Sequence, residues 1–213
     1  TLFRSICGLG DIHIGNIAFN EVALERAIDF IVKNNVYVVL MGDLLDSIVM
    51  KEKRFDVQSV APEFREKTDN LISEQYYKLC SFIDKIPKEL ILGVHCGNHE
   101  ETIRLRDSRN ITYDLCRDYD LKYLGYAALT RLKFERSSGI SKHVETFKMY
   151  SAHGHGGARF PATKQWQIHH LINTLDDIDL VMMGHVHDVQ VGRIEKKTIT
   201  TKGELAIERT TIG

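Results

Sequence analysis

The sequence predicts an α/β fold, and three observations carry the prediction. Up to Gly125, short apolar β-rich runs alternate with amphipathic helical stretches, the order of a parallel sheet covered by helices. Beyond Gly125 the runs alternate loosely and carry Tyr, Phe, Thr and Val, which suits antiparallel strands. Several of these runs end at short clusters of Asp, Asn and His, where an open α/β sheet binds its ligands.

The elements follow in chain order. Leu2–Leu9 reads as a short buried strand running into Asp11. Asn20 is an N-cap for a helix from Glu21 to about Lys33, whose Val22, Ala23, Ala27, Ile28, Ile31 and Val32 recur at helical spacing. Asn34-Asn35 ends that helix. Val36–Met41, bounded by Gly42, reads as a fully buried parallel strand, which makes the first three elements a right-handed βαβ unit. Residues 47–62 read as a loop or short helix. Glu63 to about Ile86 reads as one long helix with Leu71, Ile72, Tyr76, Leu79, Phe82, Ile83 and Ile86 on one face, closed by Pro87. Leu90–Val94 is the third buried strand. Thr102–Tyr119 is helical, with an interruption around Arg109-Asn110. Residues 126–136 and 143–152 pair as strands across a turn at Ser137-Ser138-Gly139. A helix runs from about Thr163 to Leu175, Asp179–Met183 is another buried strand, and Val189–Ile194 with Thr198–Thr211 forms a closing meander.

A chain of 213 residues is long enough for one domain with a sizeable core, and residues 1–213 are read as that single domain. It starts at Thr1 without an initiator Met and stops at Gly213 directly after a strand-like run, so it reads as processed or trimmed. The formal net charge of -1, from 28 basic and 29 acidic residues, makes no global electrostatic case for nucleic acid. A local basic patch is still compatible with it. There is no signal peptide and no membrane-spanning apolar run, so a cytoplasmic protein with no membrane partner is expected. Cys7, Cys80, Cys96 and Cys116 show no CxxC spacing and read as buried reduced thiols.

The function-bearing clusters are Asp11-Ile12-His13, Gly42-Asp43-Leu44-Leu45-Asp46, Gly97-Asn98-His99-Glu100, His153-Gly154-His155 and Gly184-His185-Val186-His187. Carboxylate plus imidazole without thiolate suits Mn²⁺, Fe or Zn²⁺ in a catalytic role rather than a structural zinc knuckle. Two such ions need a bridging anionic ligand, and a carboxylate can offer an oxygen to each. A pair of ions clamps a phosphate and turns a bridging water into hydroxide near neutral pH. Taken singly, each cluster has an ordinary explanation, such as a turn, a cap or a polar sheet edge. Five such explanations would have to hold together, in order, at successive strand ends.

The ordered set DxH, GDxxD, GNHE, HGH and GHVH, from Asp11 to His187, resembles the calcineurin-like metallophosphoesterase superfamily. The run from Gly154 to Lys164 is also similar to phosphoesterase-like proteins of bacteriophages and prophages. The superfamily resemblance implies a two-sheet mixed β-sandwich flanked by helices, in four layers. It implies a phosphate-ester substrate, a phosphodiester favoured, hydrolysed through two divalent metal ions with Mn²⁺ the first choice. Asp11, His13 and His187 would hold the first metal, Asp43 would bridge, and Asn98, His153 and His185 would hold the second. The fourth motif offers two histidines: His153 is taken as the ligand because it sits directly at a strand end, with His155 the alternative. His99 would act as general acid or orient the phosphate. Asp46 would fix a catalytic imidazole, with His99 as its partner. Arg104, one helical turn beyond His99-Glu100, is a candidate phosphate contact, as are Arg159 and Lys164 beside a glycine-rich run. His95, His143, His169, His170, Trp166 and the run Lys51–Arg54 read as structural or solvated residues. Two other functions stay open: a DNA nuclease of the same superfamily, and a binding scaffold that has kept the fold without catalysis.

Overall fold

The computed structural model describes residues 5–47, 55–138, 141–154, 170–185, 187, 191–199 and 204–212. The chain divides into two compact units, Thr1–Tyr126 and Ala127–Gly213. The result is an α/β fold with two sheets and helices, as predicted.

The first unit is built on a four-stranded, wholly parallel sheet. Its strands β1 (Ile6–Leu9), β2 (Tyr37–Leu40), β3 (Ile91–His95) and β4 (Tyr123–Gly125) lie in chain order. Helix α1 (Glu21–Asn34) connects β1 to β2; the Asn20 side chain accepts from the Ala23 N–H at 3.0 Å, and Asn35 closes the helix in the left-handed region. Leu24, Ile28 and Ile31 of α1 meet Val38 and Leu40 of β2 in the core. All five are at most 6% exposed, and each contributes about 1.5–3 kcal/mol by leaving water.

The long helix expected over Glu63–Ile86 is two elements. Pro62–Asn70 is a 3-10 segment with a non-helical Lys67, and α2 covers only Leu71–Ile83. Phe64 is the one large apolar residue of that first segment, so no apolar stripe holds it as an α-helix. In α2 the expected face is buried, with Leu71, Tyr76, Leu79, Phe82 and Ile83 facing the core. The same face also carries a polar residue, Gln75, which is 1% exposed. The predicted interruption at Arg109-Asn110 separates α3 (Asn98–Asp107) from α4 (Ile111–Asp118), and Asn110 caps α4 by accepting from the Tyr113 N–H. Strand β4 was not expected: three residues give too little pattern to read.

The second unit is a five-stranded mixed sheet of order β5-β6-β7-β9-β8. The strands are β5 (Ala127–Ser138), β6 (Ser141–Ala152), β7 (Leu180–Met183), β8 (Gly192–Ile199) and β9 (Leu205–Ile212). β5 and β6 are antiparallel in unbroken register from Ala127↔Ala152 to Ser138↔Ser141, whereas β7 is parallel to both β6 and β9. The closing meander is the β8–β9 antiparallel pair. Residues 170–174 are helical, and Ile172 packs with Val181 and Ile212 in this unit's core. The rest of the helix expected from Thr163, with His155, Arg159, Lys164, Trp166, His169 and the run Lys51–Arg54, lies outside the described residues.

Candidate metal centre

The five strand ends do not share one sheet edge. Three belong to the parallel sheet of the first unit and two to the mixed sheet of the second, so each half is built separately.

In the first unit, the loops after β1 and β2 run on as neighbours. The N–H groups of Asp11, Ile12 and Ile14 donate to the carbonyls of Gly42, Asp43 and Leu44 at 3.0, 2.9 and 3.0 Å, and Asp46 N–H returns to Ile14 O at 2.9 Å. This pairing brings carboxylate oxygens of Asp11 and Asp43 within 4.8 Å of each other. Asp43 is 1% exposed. Its Oδ1 accepts the His99 N–H at 2.9 Å in the first turn of α3, where the helix dipole favours an anion. Its Oδ2 lies 3.9 Å from His13 Nε2 and 4.0 Å from His99 Nε2.

Asp46 stands on the other side of the same two rings, with Oδ1 at 3.7 Å from His13 Nδ1 and 3.9 Å from His99 Nδ1. The imidazoles of His13 and His99 meet edge to face, 4.6 Å apart. His99 Nδ1 bonds the backbone carbonyl of Asp46; a carbonyl only accepts, so Nδ1 carries the proton. Asp46 and His99 thus lie together, but the hydrogen bond is made by the Asp46 peptide oxygen and not by the carboxylate expected to fix the ring, which stands 3.9 Å away. Asn98 is the first residue of α3 and partly exposed. Arg104 sits on the same helix but clasps Glu101, with Nε to Oε2 at 2.7 Å and Nη2 to Oε1 at 2.6 Å.

In the second unit, His153 follows β6 and His185 follows β7, and the parallel ladder continues just beyond the strands through Gly184 N–H to Ala152 O at 3.3 Å. The two rings stand 5.2 Å apart, and a ligand atom of one lies within 4.8 Å of a ligand atom of the other. His153 is fully buried. Gly154 has φ +93°, and an added Cβ there would come within 2.9 Å of the Gly184 carbonyl oxygen. His187 is exposed.

Positive φ occurs in both halves, as it also does at Asn35, Ser47, Ser108, Asp120 and Asp177. Asp11, His13, Asp43, His185 and His187 all have positive φ, between 47° and 68°. For side-chain-bearing residues this region costs on the order of 1 kcal/mol or more each and persists where surrounding contacts enforce it, typically at functional sites.

Glu100, the last residue of the third motif, has a function that the motif alone did not reveal. It is 3% exposed, and its carboxylate accepts four backbone N–H groups: Leu44 at 2.7 Å and Leu45 at 3.0 Å on Oε1, Asp43 at 3.1 Å and Gly97 at 3.0 Å on Oε2. Burial and the Asp43 charge push its carboxyl up, while the N–H donors pull the other way. Asn16 was also missed; its Nδ2 donates to Asp46 Oδ1 at 3.2 Å. Buried His95 bonds the Gly125 carbonyl through Nδ1 at 3.0 Å and ties β3 to β4, a structural role as expected.

The donors, carboxylate oxygen with imidazole nitrogen in the first unit and imidazole nitrogen in the second, with no thiolate in either, fit a borderline divalent ion. Fold and donor set together are those of an α/β domain able to hold divalent metal. Comparison with known proteins agrees. The family model for calcineurin-like phosphoesterase matches residues 4–189, and the chain belongs to this family, which is dinuclear-metal dependent. It is also similar to the DNA polymerase II small subunit of Thermoplasma acidophilum, 22% identical over 219 aligned positions. That match covers 88% of this chain and 42% of the relative, so the chain spans about two fifths of the relative's length. No solved structure matches significantly. Among the described residues, no helix is long and apolar enough to cross a membrane.

Proposed function

We propose that the protein hydrolyses phosphodiesters with two divalent ions, Mn²⁺ the first choice. Asp11, His13 and His187 would hold one ion and Asn98, His153 and His185 the other, with Asp43 serving both. When bound, the ions supply Lewis acidity to the phosphoryl oxygens and lower the pKa of a coordinated water. The observation that carries this reading is the buried Asp43 carboxylate, fixed through Oδ1 on the start of α3 while Oδ2 faces His13 and His99.

The chain's own residues divide the remaining work. His99 keeps its Nδ1 proton on the Asp46 carbonyl, which turns Nε2 toward the reaction; in the imidazolium form, where both nitrogens carry protons, Nε2–H would hand its proton to the leaving oxygen and return to the neutral ring. Asp46 holds both rings from their Nδ1 side. Arg104, whose Nε and Nη2 hold Glu101, would contact a phosphate oxygen through Nη1 or after releasing Glu101.

The test is hydrolysis of bis-p-nitrophenyl phosphate and p-nitrophenyl phosphate by metal-stripped protein with Mn²⁺ added back. Metal-dependent turnover that favours the diester supports the reading. Preference for the monoester makes the protein a phosphatase, and bound metal without turnover of either ester makes it a binding scaffold. A second reading, a nuclease acting on DNA, is favoured by the similarity to a protein named as a DNA polymerase subunit. It requires DNA binding that weakens steeply with salt, as phosphate contacts do.

A further inference from the structure

Gln75 lies in the apolar stripe of α2, yet its side chain is among the most completely buried in the chain. It touches both ligand-bearing loops of the first unit. Its Oε1 accepts the Ser47 N–H at 3.1 Å, directly after Asp46. It also fills the space beside Gly15, two residues beyond His13: a Cβ added to Gly15, whose φ is +105°, would fall 2.0 Å from Gln75 Nε2.

The Ser47 N–H and the Asp46 C=O belong to one peptide group. That group is planar and trans, so its N–H and C=O point in opposite directions. Gln75 holds the N–H end, and His99 Nδ1 occupies the C=O end. The three groups form a relay, Gln75 Oε1 to the 46–47 peptide to His99 Nδ1. An acceptor on the N–H strengthens the carbonyl as an acceptor in its turn.

We propose that Gln75 is a positioning residue for His99, acting through the Asp46–Ser47 peptide to fix the ring and keep its proton on Nδ1. This rests on the general-acid role given to His99 above. Withdrawal of the acceptor frees the peptide to rotate and lets His99 populate both neutral tautomers. Metal binding should change little, because among the described residues Gln75 makes no hydrogen bond to a proposed ligand side chain. Turnover should fall by about 10-fold or more, as when a residue that orients a site group is removed.

The test uses Gln75→Met, which keeps length and loses the acceptor, and Gln75→Asn, which keeps the amide and loses reach. Long-range ¹H–¹⁵N spectra of the metal-free proteins report the protonation of each His99 nitrogen, assigned against His99→Ala. At a pH where the ring is neutral, wild type should show a protonated Nδ1 and an unprotonated Nε2. In either variant both signals should move toward the tautomer average, and Gln75→Glu, which retains an acceptor, should return them. His99 signals that stay at wild-type positions in a folded variant, with only the melting temperature lowered, overturn the proposal. The spectra are read without turnover, so shifted His99 signals in a protein that cleaves no ester would refute the phosphoesterase reading and leave the relay standing.

Discussion

Glu100 and Asp43 hold each other in place across 57 positions of sequence: Glu100 Oε2 accepts the Asp43 N–H at 3.1 Å, and Asp43 Oδ1 accepts the N–H of His99, the residue before Glu100. The loop after β2 and the start of α3 are thereby one hydrogen-bonded object. The proposed bridging carboxylate owes its orientation to a neighbour that binds no metal.

Glu100→Gln tests that relationship. A carboxamide has one acceptor oxygen in place of two, so at least two of the four N–H groups lose their partner and face an NH₂. At about 1–3 kcal/mol for each buried donor left unmade, the folded protein should lose about 2–6 kcal/mol. Urea unfolding of metal-free protein measures this. A change below about 0.5 kcal/mol would mean that the four bonds are not what holds the loop.

Gly97→Ala should damage the centre through sterics alone. Gly97 has φ -90°, which any residue adopts, but an added Cβ would lie 2.1 Å from both Asp43 N and Asp43 Oδ1. Asp43 must shift to admit it. Calorimetric titration with Mn²⁺ should show affinity about 10-fold weaker or worse.

His99→Ala and Asp43→Asn should separate catalysis from metal binding. The first should retain Mn²⁺ within a few-fold of wild type and lose about 10²–10⁴ in kcat, the range of a general acid. The second should lose both metal and activity. Metal analysis beside kinetics decides, and near-normal turnover in His99→Ala would refute the role assigned to that ring.

The thiols give a pH prediction. Burial pushes the Cys116 thiol up to about 12, and burial first, then Glu100, pushes Cys96 up to about 11. The unfolded chain ionises its thiols near pH 8.5, so the folded state binds more protons above that pH. These two residues therefore favour folding below about pH 8.5, and the advantage is lost as pH rises through the range to 11–12. Urea midpoints measured between pH 8 and 11 should fall more steeply in wild type than in Cys116→Ala.

Much of this was legible in the sequence because its signals are local and repeated. Asn20 and Asn110 announced their helices through capping chemistry, and the apolar runs ahead of Asp11, Asp43 and Asn98 announced strands, each followed by a candidate ligand. The long helix over Glu63–Ile86 was misread because a face that is strong after Leu71 was extended back through a segment anchored by Phe64 alone. Glu100 and Gln75 escaped because their partners are backbone N–H groups, which have no letter in the sequence. Gln75 did leave one trace, a polar residue at an apolar position of its helix.

The four-way grip of Glu100 has a kinetic side. With Asp43, Leu44 and Leu45 all tied to one buried carboxylate, the loop is already ordered before any ion arrives, and metal entry has little conformational entropy to remove. The amide hydrogens of these three residues should consequently exchange slowly in apo protein and change little on loading. A site assembled in this way captures its ions at a rate set by their dehydration and diffusion rather than by loop closure.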